Sequence, residues 1–370
     1  MNMSKDFYNL TKNLLCAPGN GVFTVNTAKE RKEKLHKTLY KTTENVESLW
    51  EKSIEESLNS SSPILLGVCS DTGGGIQRGA NWGPLFLRST LLEEHPELTY
   101  DDIGDIRVIP HLLHDKYLND KTIESCRNAL YNDKKTDLPV SALSLTEEFC
   151  DQLHESYPKK KLFSIGGDHS VSYPLVKSYL KAKKKQGIKA AIIHFDAHTD
   201  LLVERLGIDI CFGSWCTHIL PFLDSPEYLI QLGIRSSGKD RSHWENSFGV
   251  QQFWAQEIKE KGANNIVKGI LEYLKAEKID ELYVSFDIDA LDEKYASATG
   301  TPEPGGMDPE QAITIIKALA AEFKITGADM VEIAPLVCAD HVTQPEPQTT
   351  LTVGAAISAT LIEALNSGDS

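Results

Sequence analysis

At 370 residues, with 41% apolar and 25% charged residues, the chain has the composition of a folded protein with a sizeable core. Its formal charge of −15 argues against nucleic acid or an anionic membrane surface as a partner. No apolar run approaches the roughly 20 residues of a membrane span; there is no hydrophobic leader, and the seven cysteines are odd in number and form no C-x-x-C pair, so a reducing, cytoplasmic setting is expected.

Residues 1–62 carry no chemical motif. Ala28 to Leu58, rich in Lys, Glu and Leu, reads as one charged helix, and Ser62-Pro63 marks a boundary. This segment is expected to be a helical extension packed on the remainder or on a neighbouring subunit, or else a polar tail. The second unit, 63–370, opens with a strand over Pro63–Val68, followed by the glycine-rich run Asp71–Gly75. That run lacks the Gly-Lys-Ser/Thr ending of a phosphate loop and reads as a flexible loop at the mouth of a site. Ile106–Ile109 is a candidate second strand, and Leu145–Ser156 a helix.

From there strands alternate with helices. Strands are expected at 161–165, 189–196, 228–234, 249–253, 281–287 and 325–333, and helices at 171–184, 263–277, 308–322 and 349–366. Repeated strand-then-helix units imply a three-layer α/β/α fold with a mostly parallel central sheet.

Three strand ends carry metal-type side chains. After the apolar run Ala190–Ile193, Asp196, His198 and Asp200 recur at every second position and, on extended backbone, share one face. Alone, this pattern fits a divalent-cation site or a polar turn about equally. The strand from Glu281 likewise ends in Asp287 and Asp289, two apart. A third, Leu162–Ile165, runs through Gly166-Gly167 to His169. In a parallel sheet ligands gather at the carboxyl ends of strands, and mixed oxygen and nitrogen donors suit a borderline ion such as manganese. Six such side chains from three strands fit a two-metal site.

Gly-Gly-Asp-His-Ser at 166–170, Asp-Ala-His-Thr-Asp at 196–200 and Ser-Phe-Asp-Ile-Asp-Ala-Leu-Asp at 285–292 resemble, in that order, the ureohydrolase family of arginases and agmatinases. Thr299–Gly306, Asp329–Pro335 and Gly79–Pro84 with Leu87-Arg88 agree, so the resemblance runs from about residue 63 onward. It implies two Mn2+ ions (or another divalent ion such as Ni2+), one held by His169, Asp196, Asp200 and Asp287 and the other by Asp196, His198, Asp287 and Asp289. Water activated between the ions then attacks the planar carbon of a small cationic guanidino substrate, with Glu332 clamping the guanidinium. Asp292 and His194 are assigned orienting or structural roles. A homo-oligomer, trimer or hexamer, is also implied.

Two positions depart from the arginase pattern. Leu202 stands where arginases place a substrate-binding Asn, and Phe212 stands before Gly213 where a proton-shuttle histidine is common. The nearest downstream histidine, His218, is the candidate shuttle, with a structural histidine the alternative reading. His194-Phe195 and the Thr299–Gly306 run look more like agmatinases. The expected reaction is therefore agmatine to putrescine and urea. Arginase, guanidinobutyrase, formimidoylglutamase and hydrolysis of free guanidine are the rivals. A zinc deacetylase would use an adjacent histidine pair, which this sequence lacks; the six ligand positions and Glu332 argue against a non-catalytic relative, a reading that the departures at 202 and 212 keep open.

Overall fold

The computed structural model of the protein describes residues 3–22, 28–74, 77–337 and 348–367. Nine strands form one sheet: β1 (Leu15–Cys16), β2 (Ile64–Gly67), β3 (Asp101–Ile106), β4 (Leu162–Ile165), β5 (Ala190–Phe195), β6 (Leu229–Ile234), β7 (Gln251–Trp254), β8 (Glu281–Asp287) and β9 (Lys324–Val331). Their spatial order is β1-β3-β2-β4-β9-β8-β5-β6-β7, and every pairing is parallel except β1 with β3. Strands β2, β4, β5, β6 and the apolar part of β8 are buried along their whole length, as continuous apolar runs in a two-sided sheet require.

The strand order also decides where the helices lie. Parallel crossovers are right-handed, so connections that step in opposite directions along the sheet fall on opposite faces. Ala142–Ser156 and Ser172–Gln186 join strands stepping one way and pack on each other. Gly83–Glu94, Ala263–Ala276 and Pro309–Glu322 join strands stepping the other way, and with Gln348–Ser367 they cover the second face. This is the three-layer α/β/α arrangement expected from the sequence.

Two readings of the first 110 residues need correction. The expected single helix over 28–58 is two, Lys29–Tyr40 and Val46–Asn59, because Lys41 and Asn45 both adopt left-handed backbone around a Thr-Thr-Glu turn. The strand placed at 106–109 is instead Asp101–Ile106. Its three aspartates disguise it in sequence, and two of them are neutralised only by a distant side chain. The fully buried Arg88 guanidinium meets Asp102 and Asp105, each at 2.8 Å.

That ion cluster also fastens the N-terminal extension. Asp105 Oδ2 accepts from the backbone amides of Gly19 (2.7 Å) and Gly21 (3.1 Å), next to the antiparallel pairing of β1 with β3. Trp50 closes the same seam, donating from Nε1 to Ile103 O at 2.8 Å. The extension thus supplies an edge strand to the sheet. Of the glycine-rich run, Gly75 lies outside the described residues. Gly73 is tied in place, its amide donating to Asp168 and its carbonyl accepting from Phe212.

Replacing Asp105 with Leu leaves Arg88 buried beside a single carboxylate and removes the acceptor of two amides. We expect a loss of about 3–5 kcal/mol, read as a lowered urea midpoint against wild type. An unchanged midpoint contradicts this account of the seam.

Candidate metal centre

Four adjacent strands, β4, β9, β8 and β5, deliver the polar side chains to one end of the sheet. Beyond β4 the chain turns through Gly166-Gly167. A Cβ on Gly167 would lie 1.7 Å from Ser70 O, so only glycine lets this turn pass the loop after β2. His169 follows, buried, and its Nδ1 lies 3.1 Å from Asp196 Oδ2, 3.2 Å from Asp200 Oδ2 and 3.1 Å from Asp287 Oδ2. No hydrogen-bond geometry satisfies that nitrogen. A buried nitrogen aimed at three carboxylate oxygens, with no well-aligned hydrogen bond, makes a donor set that could hold a divalent ion.

The ring is held from behind. His169 Nε2 lies 3.1 Å from Ser285 Oγ, and that hydroxyl donates to Asp329 Oδ1 at 2.8 Å while Tyr283 donates to Oδ2 at 2.7 Å. With its hydrogen given to Asp329, Ser285 accepts from His169 Nε2–H, which leaves Nδ1 bare toward the carboxylates. The second imidazole is arranged alike. His198 Nδ1 stands 3.1 Å from Asp289 Oδ2 and 3.3 Å from Asp196 Oδ1, and its Nε2 faces Glu303, which Ser236 holds at 2.7 Å.

Asp196 belongs to both groups, with Oδ2 on the His169 side and Oδ1 on the His198 side. That is the geometry of a shared ligand. Asp287 presents Oδ2 to His169, while its Oδ1 accepts the Asp289 amide at 2.8 Å. Asp200 is also bound by the Trp215 indole at 2.9 Å, and Asp289 by Thr301 at 2.9 Å and by the Ala197 amide at 3.0 Å. Asp200 and Glu332 have φ of 50° and 63°, left-handed backbone that costs non-glycine residues about 1–3 kcal/mol. Both carboxylates are buried.

Glu332 lies just past β9 and is 7% exposed, and its Oε1 accepts the His169 backbone amide at 2.8 Å. Burial, with Asp287 and Asp168 nearby, raises its carboxyl well above the ordinary range. Of the residues singled out in sequence, the six ligand candidates and Glu332 are together. His218 stands apart. Its Nε2 meets Val203 O at 3.0 Å and its ring meets Tyr173, and among the described residues none of its hydrogen bonds or ring contacts reaches the six. His194 Nε2 lies 2.9 Å from Asp196 Oδ2, and Asp292 shapes the following loop through the Gly305 amide.

Residues 61–362 match the arginase family. The chain belongs to the arginase family. It is accordingly a hydrolase of carbon–nitrogen bonds in linear amidines. It is 28% identical over 290 residues to the mitochondrial guanidino acid hydrolase of Homo sapiens, covering 73% of this chain and 70% of that protein. It is 30% identical over 289 residues to the mitochondrial agmatinase of Gallus gallus, covering 73% of each. The fold is that of the proclavaminate amidino hydrolase of Streptomyces clavuligerus, with a TM-score of 0.62 at 23% identity over 83% of this chain and 92% of that one. An arginase from Bacillus subtilis gives a TM-score of 0.62 at 22% identity, over 82% and 98%. The arginase family depends on two metal ions, and this member has a buried His/Asp cluster able to bind metal.

Several parts of this arginase-family site were not singled out from the sequence. Arg235, at the end of β6, gives its Nη2 to the carbonyls of Asp289 (2.7 Å), Leu291 (3.0 Å) and Glu303 (2.7 Å), stapling the 299–306 loop beside the ligands. Trp215, Thr301 and Glu303 act on ligands across 12 to 105 residues of sequence, and only Thr301 and Glu303 lay inside a recognised motif.

Burial opposes charging of His169, but Asp196, Asp200 and Asp287 outweigh it and lift the imidazole well above the ordinary histidine value. For His198, burial is likewise outweighed by Asp289 and Asp196. In the ion-free protein both rings therefore hold protons above the ordinary value of about 6.5. These protons stabilise the ion-free form at low pH, and that contribution is lost as pH rises through the raised values. A divalent ion must displace them. We predict that Mn2+ addition in weakly buffered solution releases protons, and that apparent affinity rises from pH 6.5 to 8.5. Uptake with no proton release overturns this account.

Proposed function

We propose that the protein is a two-manganese hydrolase that cleaves agmatine to putrescine and urea. The observation that carries this reading is the convergence of His169, Asp196, His198, Asp200, Asp287 and Asp289, with the Glu332 carboxylate bound to the backbone of the first of them. Two divalent ions held by these side chains supply the charge that lets water ionise near neutral pH. Glu332 offers the planar, negative partner that a guanidinium requires and orients its carbon beside the ions. Trp215, Thr301, Ser236 and Ser285 keep the ligands or their partners in place and satisfy the buried lone pairs.

Agmatine is favoured over arginine because the groups best suited to an α-carboxylate are absent or engaged in this region. Leu202 presents no donor and is 42% exposed. Arg205 lies with its guanidinium 5.1 Å over the Phe212 ring, and Arg235 is taken up by backbone carbonyls. A guanidino acid is the second reading, supported by the similarity to the human guanidino acid hydrolase. His218, on the short helix Trp215–Ile219 after Phe212, is retained as the proposed proton shuttle. We also propose a cytoplasmic homo-oligomer. Among the described residues no helix is long and apolar enough to cross a membrane, and the six described cysteines are free thiols.

Urea release should be measured with agmatine, arginine, 4-guanidinobutyrate and guanidine. Agmatine should give the highest kcat/KM, and a clear preference for arginine that Arg205→Ala abolishes transfers the assignment to arginase. Glu332→Gln should lower kcat/KM about 100-fold on every substrate while bound metal stays near wild type. Loss of activity on one substrate alone contradicts the clamp role.

Asp196→Asn and Asp287→Asn should each abolish turnover and strip most of the bound ion, as expected of shared ligands in a two-ion site. Elemental analysis that finds one tightly bound zinc in the wild-type protein overturns the two-manganese reading.

A further inference from the structure

His194 sits among the metal-type side chains, within reach of a cluster that also contains His169, Asp196 and Asp200. Its environment gives it a different task. His194 on β5, Gln231 on β6 and Gln252 on β7 are direct cross-strand neighbours, His194 with Gln231 and Gln231 with Gln252. Side chains in one row of a parallel sheet point to the same face, and all three are fully buried. They bond end to end: Trp254 Nε1 donates to Gln252 Oε1 at 2.9 Å, Gln252 Nε2 to Gln231 Oε1 at 2.8 Å, and Gln231 Nε2 to His194 Nδ1 at 2.9 Å.

The direction of this chain is fixed at two independent points. An indole N–H can only donate, so the Gln252 atom facing Trp254 is its oxygen and its NH2 faces Gln231. A backbone carbonyl can only accept, and Gln231 Nε2 also bonds Thr199 O at 2.7 Å. Both hydrogens of the Gln231 amide are thereby assigned, one to Thr199 and one to His194. The other polar atom near this junction, Cys216 Sγ, is 3.6 Å from His194 Nδ1 and 3.8 Å from Gln231 Nε2, farther than either amide contact. His194 Nδ1 is therefore an acceptor, and the ring hydrogen is on Nε2, which points at Asp196 Oδ2 2.9 Å away.

We propose that Gln231 and Gln252 are positioning residues that lock His194 in its Nε2–H tautomer, so that His194 is a donor to the shared carboxylate Asp196 and not an ion ligand. The proposal rests on the two-ion reading. In the other tautomer a bare Nε2 faces the carboxylate oxygen, two lone pairs at hydrogen-bond distance, and the Gln231 N–H faces a ring N–H. Both contacts are repulsive. The relay starts three strands from the ligands of β8 and sets the orientation of the one carboxylate that touches both imidazole groups. Hydrogen-bonding partners of this kind govern metal retention by about 10–100-fold.

The test uses the full-length, manganese-loaded protein and four variants: Gln231→Met, Gln252→Met, His194→Gln and His194→Leu. Ions retained per chain are measured after dialysis against graded EDTA, with kcat and KM for agmatine alongside and thermal unfolding of the ion-free form as a separate record of folding. Gln231→Met and Gln252→Met should release ion at about 10-fold lower EDTA or less, with kcat falling and KM little changed. His194→Gln keeps an N–H toward Asp196 and should hold ion far better than His194→Leu. If the glutamine variants unfold more easily yet keep wild-type resistance to EDTA, the relay is only structural and the proposal fails while the two-ion reading stands. Equal depletion of His194→Gln and His194→Leu makes His194 a ligand and also overturns it. A wild-type protein that binds no divalent ion removes both.

Discussion

Like charge gathered in a dry place is the constraint on which the rest of this structure depends. Asp196, Asp200, Asp287 and Asp289 are each no more than 6% exposed, and Glu332 joins them at 7%. Buried carboxylates in one pocket repel and raise one another's affinity for protons. Burial, then Asp289 and Asp196, drive Asp287 in that direction. In the ion-free protein, protons on His169 and His198 relieve the repulsion, and bound cations would do so in their place. Neutral contacts do not balance the charge: of the three oxygens facing His169, Asp196 Oδ2 meets His194 and Asp200 Oδ2 accepts from the Trp215 indole, and both carboxylates stay negative. The left-handed backbone at Asp200 and Glu332 and the glycine at 167 are local concessions that bring these carboxylates within reach of one another.

The sheet absorbs the cost of that concentration one layer below the ligands. Asp329 pairs in register with Ser285, Ser285 with His194, His194 with Gln231 and Gln231 with Gln252. This row of buried polar side chains runs through the middle of an otherwise apolar core. A polar atom buried without a partner costs free energy, and here the partners are supplied by neighbours in the row. One half of the row, through Ser285 and Asp329, orients His169. The other half, through Gln231 and Gln252, faces Asp196. Because these donors are fixed by secondary structure, the orientation of His169 and Asp196 is set within the sheet.

The loops contribute at the rim. Arg235 binds the backbone of Asp289, Leu291 and Glu303 at once, so the strand end that carries two ligands and the loop that carries Thr301 and Glu303 move as one piece. On the far side of the sheet, the Arg88 cluster performs a comparable service for the N-terminal extension, through Asp105 and the amides of Gly19 and Gly21. In both places a guanidinium with several fixed donors ties together segments remote in sequence.

The sequence by itself determined the alternation of strands and helices, the parallel sheet, and the three strand ends that carry the ligand candidates. Those features are local: side chains two apart share a face, and apolar runs of strand length are visible without a partner. Glu332 was legible because it sits in a family motif. The division of 28–58 into two helices was not legible, since a left-handed turn at Lys41 and Asn45 leaves no mark in charge or hydropathy. Strand β3 was misplaced because its aspartates look solvent-facing until Arg88, 14 and 17 residues away, is folded onto them. Which nitrogen of His169 faces the carboxylates, why His194 is a donor, and what Arg235 and Trp215 hold were decided only by the tertiary structure. Each depends on register between strands and on hydrogen-bond direction across tens of residues, and neither quantity is written in the spacing of residues along the chain.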